Sequence, residues 1–456
     1  MIAEFAEPLP GSERDAGGTR PTMPRKLEEP GAGVYRWVIL GLLWMVCFFS
    51  YADRQAFFSV FPLLQAEMHL TKVQLGLLGS SFAVVYGLAG PVAGFVADRI
   101  RRKTAILSGL EFWSVVCSFS ALARNFAQLV VVRGLVGLGE SIYSPAAMSM
   151  VSDYHGSRTR SRAMGILQTS VYAGTVGGGY WAAAIAQRHG WRPAVFFFGG
   201  FGCVFGLLLM RVMREPRRGE QGPPLAVVAP ADRPRSTARS ILRLLTTRSF
   251  LLLMGGFATA NFVAMVLLSW MPMYLYSRFH LSLSDAALTA AVYPQVASMA
   301  GSVCGGSLAD WSVRRTPGGR ILVQCLGVFG GAPFVLLCGL GTSLLAVKIA
   351  LLCWGFFKGI YDSNIFASAF DVVPPETRGT VSGCMNCVGW LVGGGLAPVV
   401  IGYLAGFFGL GRAIALSSMV YGLAGLLLLF TVAVSLRGDL QRLGTTSSFA
   451  AKRGRY

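Results

Sequence analysis

The sequence predicts an all-α membrane protein of twelve transmembrane helices in two pseudo-symmetric six-helix bundles. Three observations carry this. Of 456 residues, 54% are hydrophobic and only 13% charged, where a soluble domain carries about a quarter charged. Apolar runs recur at the ~20-residue length that crosses ~30 Å of hydrocarbon. Basic residues gather in alternate loops between those runs, and two spaced patterns from the first half return in the second. Unbroken runs also exclude a β-barrel, whose strands alternate in character.

Residues 1–33 are polar and rich in Pro, Gly and Glu, the composition of a disordered tail. They lack the apolar core of a cleavable signal, so the first hydrophobic helix is expected to direct its own insertion. Spans are predicted at 36–62, 74–97, 104–123, 127–151, 163–186 and 193–213, which make an N-terminal bundle over 34–213. A polar stretch at 214–248, with Pro216, Pro223, Pro224, Pro230 and Pro234, reads as a linker. Spans at 249–277, 285–309, 320–341, 345–370, 380–406 and 411–436 make the C-terminal bundle over 249–436, and 437–456 is a basic tail.

The loops set the orientation. One alternate set holds Arg99, Arg101, Arg102 and Lys103, then Arg158, Arg160 and Arg162, the linker arginines, Arg314, Arg315 and Arg320, and Arg378. Both tails belong to that set. Positive residues stay on the cytoplasmic side, so tails and linker are expected there, at the plasma (cytoplasmic) membrane, with an even number of spans. The net charge of +19 is thereby read as an orientation signal at a lipid bilayer, with no nucleic acid as partner. All nine cysteines lie in apolar segments and read as packing residues, the Cys384-x-x-Cys387 pair included. No cofactor or metal is expected, and no histidine cluster, nucleophile motif or nucleotide loop points to an enzyme. A monomer suffices for this fold.

The internal repeat is the most informative feature. Gly94, Asp98 and Arg102 return as Gly306, Asp310 and Arg314 at an interval of 212 residues (310−98). Asp153, Arg160 and Gly165 return as Asp371, Arg378 and Gly383 at 218 (371−153), a register that also superimposes Gly137 on Gly355 and Tyr143 on Tyr361. The halves are therefore related domains in parallel orientation. These residues resemble the major facilitator superfamily, whose two bundles are parallel repeats about the membrane normal. The loop Gly94–Lys103 is similar to that family's signature between helices two and three, departing at Arg101, where the family usually has glycine. Gly94 is read as permitting close helix approach. Asp98, Arg99 and Arg102, with Asp310 and Arg314, are read as a gating latch of paired charges, made in one state and broken in another.

Ionisable residues at mid-bilayer depth cost at least ~2.5–3.5 kcal/mol, so they mark function. The candidates are Asp53 and Arg54 in span one, Arg133 and Glu140 in span four, and Lys358 and Asp362 in span ten, with Glu111 a weaker case. Arg133 and Glu140 are seven residues apart, which places them on one helix face ~10 Å apart. Lys358 takes the register position of Glu140, and Asp362 follows one turn later, where it can hold the ammonium. Asp53 and Arg54 point ~100° apart on their helix, so they cannot simply pair with each other; one of them is expected to face Glu140 or Arg133. A carboxylate that alternates between dry and arginine-paired surroundings can take up and release a proton. Asp53 and Glu140 are thus the proton-coupling candidates. Arg54, Arg133 and Lys358 are candidates for binding an anionic group, and Asp362, Tyr143 and Tyr361 complete the expected solute site.

Within the superfamily, SYADRQAFFSVFP in span one and RGLVGLGESIYSPA in span four resemble the spinster-type transporters and the anion–cation symporters. Gly190-Trp191-Arg192 and Trp270-x-Pro272 fit the same branch. The resemblance implies a secondary active carrier that moves a small organic anion by alternating access, coupled to protons. An amphiphile such as a lysolipid is the second reading, with Phe57, Phe58 and Phe61 either lining an apolar slot or facing lipid; a non-transporting membrane sensor ranks last. Span five carries Gly174 and Gly177–Gly179 without the adjoining proline of drug–proton antiporters, so these glycines and Gly393–Gly395 are read as helix packing.

Overall fold

A computed structural model describes residues 32–155, 159–215, 247–373 and 378–436. Most of the expected tails and linker lies outside these. Among the described residues there are helices and no strands. Twelve long helices follow in order: α1 (Ala32–Ser59), α2 (Lys72–Arg99), α3 (Arg102–Ser120), α4 (Phe126–Tyr154), α5 (Arg160–His189), α6 (Trp191–Val212), α7 (Arg248–Phe279), α8 (Leu283–Val313), α9 (Gly319–Leu340), α10 (Leu344–Asp362), α11 (Arg378–Val388, continued through Gly389–Leu396 to Ala397–Phe408) and α12 (Leu410–Phe430).

Nine of these are both long and apolar enough to span a bilayer. The other three, α3, α5 and α8, are equally long but richer in polar and small residues, and packing explains it. α3 packs against α4 and α6, while α5 packs against α1 in its own half and α8 in the other. Helices that meet protein on several sides need less apolar surface, and small residues let their backbones approach.

Local chemistry sets the ends. Thr71 and Gln74 form a reciprocal capping box at the start of α2. Asn125, Ser282 and Ser343 accept from backbone N–H groups at the starts of α4, α8 and α10. Val60 and Pro62 separate α1 from a short helix, Phe61–Met68. A turn at Ser363–Asn364 separates α10 from another, Ile365–Asp371. Neither break was expected from the sequence. Nor was the π-helical stretch Gly389–Leu396 inside α11, where the glycine run relaxes the usual spacing.

The repeat is visible in the packing. A Cβ at Gly137 would strike the carbonyl of Phe82 on α2, and one at Gly355 would strike that of Pro294 on α8. Gly109 on α3 faces the carbonyl of Gly139, as Gly327 on α9 faces that of Phe357. The partners within α2 and α8 are offset by 212 (294−82), and those from α3 and α9 onward by 218 (327−109 and 357−139). Six additional residues therefore lie between the matched positions of α8 and α9, Pro294 and Gly327, relative to Phe82 and Gly109. His69 (φ 51°) and His280 (φ 53°) close the first span of each half in the same left-handed conformation.

The halves meet at one end. Gln55 Nε2 donates to the Leu268 carbonyl at 3.3 Å, Lys72 Nζ to that of Ala405 at 3.4 Å, and Ser284 Oγ to Gln187 Oε1 at 3.1 Å. Phe61 packs edge-on against Trp270 at 5.7 Å, and Gly76 lies against the backbone of Pro398. All these residues sit where α1 ends and α2 begins, opposite the end at which α1 enters. Near the far end, Gly94 and Gly306 face open space within 4 Å. In this state nothing packs within 4 Å of a Cβ at Gly94, whereas Gly76 and Gly87 on the same helix meet the other half.

Candidate functional site

Four buried charges on α1 and α4 form two crossed pairs. Arg54 places Nε and Nη2 each 2.6 Å from Glu140 Oε2, which also accepts from Ser50 Oγ at 2.8 Å. Arg133 Nη1 reaches Asp53 Oδ2 at 3.3 Å, and the Cys117 thiol on α3 donates to Asp53 Oδ1 at 2.8 Å. Adjacent residues on α1 diverge too far to pair with each other, so both select partners two turns apart on α4. The pairs are buried: Arg133 is 2% and Glu140 1% exposed. Arg54 Nη1, Arg133 Nε and Glu140 Oε1 have no hydrogen-bond partner among the described residues.

Aromatic rings take the place of water. The Arg54 guanidinium lies 4.6–5.0 Å from the ring centroids of Tyr51, Phe82, Tyr86 and Trp390, and Arg133 lies 4.3 Å from that of Phe57. Ring faces attract such cations more strongly when water is absent. Trp390 belongs to α11, so the box around Arg54 is built by both halves.

The C-terminal half differs. Lys358 and Asp362 pair along one face of α10, with side chains 21% and 31% exposed. Both line a cavity of about 330 Å³ between the halves. Tyr51, Gln168 and Tyr172 close it on the N-terminal side, and Asn261, Gln295, Trp354, Tyr361 and Trp390 on the other. A smaller cavity of about 80 Å³ is lined by Ser50, Arg54, Glu140 and Tyr143. Tyr51, Gln168 and Val171 border both.

The expected solute site is therefore divided. Lys358, Asp362 and Tyr361 line the larger cavity, and Arg54 and Tyr143 the smaller. Tyr143 donates to the Leu43 carbonyl at 2.7 Å. Arg133 lines neither; Asp53 and Phe57 enclose it. Phe57, Phe58 and Phe61 neither line a slot nor face lipid: at 1%, 5% and 0% exposure they are core. Gly174 and Gly178 on α5 pack against the α1 backbone at Phe48 and Ala52, which is the packing expected of that cluster.

At the end carrying the basic loops, Arg102 Nη1 pairs with Asp153 Oδ2 at 2.5 Å. The backbone N–H groups of Arg102 and Lys103, in the first turn of α3, donate to the Glu215 carboxylate at 2.8 Å each, a favourable place for an anion. In the other half, Arg320 Nη1 lies 2.8 and 2.7 Å from the two oxygens of Asp371. Asp153 and Asp371 are register equivalents, and so are Arg102 and Arg320 (320−102 is 218). In the expected latch Arg314 is the counterpart of Arg102; in the structure the arginine that pairs as Arg102 does is Arg320, at the start of α9. Asp310 and Arg314 are exposed and form no ion pair among the described residues. Arg99 is exposed at the last turn of α2, and the Asp98 side chain lies outside the described residues.

Trp390, Glu215 and Asn261 had no signal in the sequence, because each is brought to its site from a distant segment. Arg320 did have one, in the 218 register.

Two repeated bundles closed at one end around a cavity that mixes apolar and charged side chains, with further charges buried at its edge, define a membrane carrier. A model of the Major Facilitator Superfamily matches residues 43–398, and the chain belongs to that family. The probable L-galactonate transporter of Escherichia coli (strain K12) is 27% identical over 350 residues, 72% of this chain and 76% of that protein. The sphingosine-1-phosphate transporter SPNS2 of Xenopus tropicalis is 26% identical over 413 residues, 84% of this chain and 79% of that one. A solved bacterial homolog to the human lysosomal transporter Spinster, inward-facing and unoccupied, shares the fold with a TM-score of 0.80 at 21% identity, covering 89% of this chain and 98% of that one.

Proposed function

We propose that this transporter carries a compact hydroxylated carboxylate, of the sugar-acid kind, across the plasma membrane in company with protons, with both tails and the linker cytoplasmic. The cavity beside Lys358 carries the reading. At about 330 Å³ it is at the small end of the 300–1,000 Å³ range of small-molecule sites. Its lining offers one cation, amide groups and several aromatic faces, which suit a carboxylate with hydroxyls better than a long acyl chain. The resemblance to an L-galactonate transporter supports the same class. In the N-terminal half, Glu140 and Asp53 are the proton sites. A proton on Glu140 neutralises the partner of Arg54 and releases the guanidinium, which changes how the two halves meet at Tyr51 and Trp390. Arg133 holds Asp53 in place and does not touch solute. The basic loops support the orientation.

Proteoliposomes with an inward acid gradient test the proposal, using a panel of sugar acids and lysophospholipids. Acid-stimulated uptake of sugar acids is the expected result. Uptake of lysophospholipids alone, the substrate class suggested by the likeness to SPNS2, would replace the solute assignment. Uptake indifferent to the gradient would remove proton coupling.

A further inference from the structure

The buried charge cluster and the larger cavity hold different charges, yet coupled transport requires each to respond to the other; Tyr51, beside Arg54, borders the cavity from the N-terminal half. Trp390 touches both cluster and cavity. Its ring centroid is 5.0 Å from Arg54 Cζ and 4.8 Å from the Tyr86 ring, and its side chain lines the larger cavity. Trp390 sits on the π-helical stretch of α11, so its position depends on a segment whose hydrogen bonding is already irregular. Two glycines form its seat. A Cβ at Gly87 of α2 would come within 3.2 Å of the Trp390 side chain, and one at Gly394 within 3.0 Å of the indole. At the first residue of the stretch, Asn261 Nδ2 donates to the Gly389 carbonyl at 2.6 Å, and Asn261 also lines the cavity.

We propose that Trp390 is a coupling residue that transmits occupancy of the larger cavity to the Arg54–Glu140 pair. A solute that displaces the indole, or draws Asn261 from the Gly389 carbonyl, alters the aromatic box around Arg54 and hence how firmly Arg54 holds Glu140. By reciprocity, a proton on Glu140 frees Arg54 and changes the face that Trp390 presents to solute. The inference rests on the proton-coupled reading above and assigns the contact through which coupling passes.

Two measurements test it. The first needs no solute: intrinsic fluorescence of the purified protein is titrated with pH, and the Trp390→Phe signal is subtracted. A pH-dependent difference is expected, and it is expected to vanish when the same subtraction is made in the Glu140→Gln background. No pH-dependent difference, or one that survives Glu140→Gln, overturns the link. The second compares acid-driven uptake with counterflow of labelled glucuronate. Trp390→Leu is expected to lower driven uptake about fivefold more than counterflow, the low end of coupling between sites, and Trp390→Phe to recover most of the difference. Equal losses in both modes mean that Trp390 is only a packing residue. If wild-type protein shows no acid-driven uptake, the functional reading fails, while the fluorescence titration still decides whether Trp390 senses Glu140.

Discussion

Position 140 in the first half and position 358 in the second occupy the same place in the repeat, yet they are built for different tasks. Glu140 is sealed, 1% exposed, and held by an arginine from a different helix. Lys358 opens on a cavity and is held by an aspartate one turn along its own helix. A pair that bridges two helices transmits a change of charge as a movement between them. A pair within one helix can exchange its partner for a solute carboxylate and leave the bundle undisturbed. One repeat register thus holds a buried pair between helices in one half and a cavity-lining pair within a helix in the other, and the proposed function assigns the first to protons and the second to solute.

The contrast breaks first at Arg133. If the N-terminal charges are structural as well as functional, Arg133→Ala leaves Asp53 buried and unpaired. That should cost about 3–5 kcal/mol, read as lost stability in denaturant unfolding of the detergent-solubilised protein. A loss confined to anion uptake, with normal stability, would return Arg133 to the solute site. Next in size is Glu140→Gln, which keeps the shape and removes the titration. Stimulation by an inward acid gradient should vanish, while counterflow falls far less. Smaller again is Lys358→Gln. Losing a charge-assisted hydrogen bond to the solute should weaken anion affinity about tenfold, and stability should stay within about 1 kcal/mol because the pair is partly exposed. Equal weakening for neutral and anionic solutes would remove Lys358 as the anion ligand.

Much of this was legible in the sequence. Twelve helices were expected from the recurrence of runs near span length, although α3, α5 and α8 fall short of the apolarity that a span needs, and the candidate charges follow from the cost of placing them in hydrocarbon. That Asp53 and Arg54 do not pair with each other, and that one of them faces α4, followed from helix geometry; that both do, and which acid takes which arginine, did not. The π-helical stretch of α11 was hidden, since glycines are equally compatible with straight helix. Trp390 was invisible for another reason: contacts between halves depend on which end of the carrier is closed, a property of one state and not of the chain. The same dependence bears on Gly94, whose neighbourhood is open in this state.

The smallest expected effect sharpens the comparison at the two ion pairs beside the basic loops. Arg102–Asp153 and Arg320–Asp371 are register equivalents, but the second is more exposed, at 28% and 39% against 20% and 15% for the first. Solvent screening weakens such pairs toward the median of about 0–1 kcal/mol. Arg102→Gln should therefore disturb stability and uptake slightly more than Arg320→Gln, the more so because Glu215 ties the start of α3 beside it. Arg314→Gln should do nothing measurable, since Arg314 is exposed and forms no ion pair among the described residues. The three variants together weigh the two offsets against each other. A motif aligned by its spelling selects Arg314 at 212, whereas the packing of α3 and α9 selects Arg320 at 218. A larger effect from Arg314→Gln than from Arg320→Gln would mean that the latch follows the spelling, with Asp310 or the end of α8 as its partner in the state closed at this end.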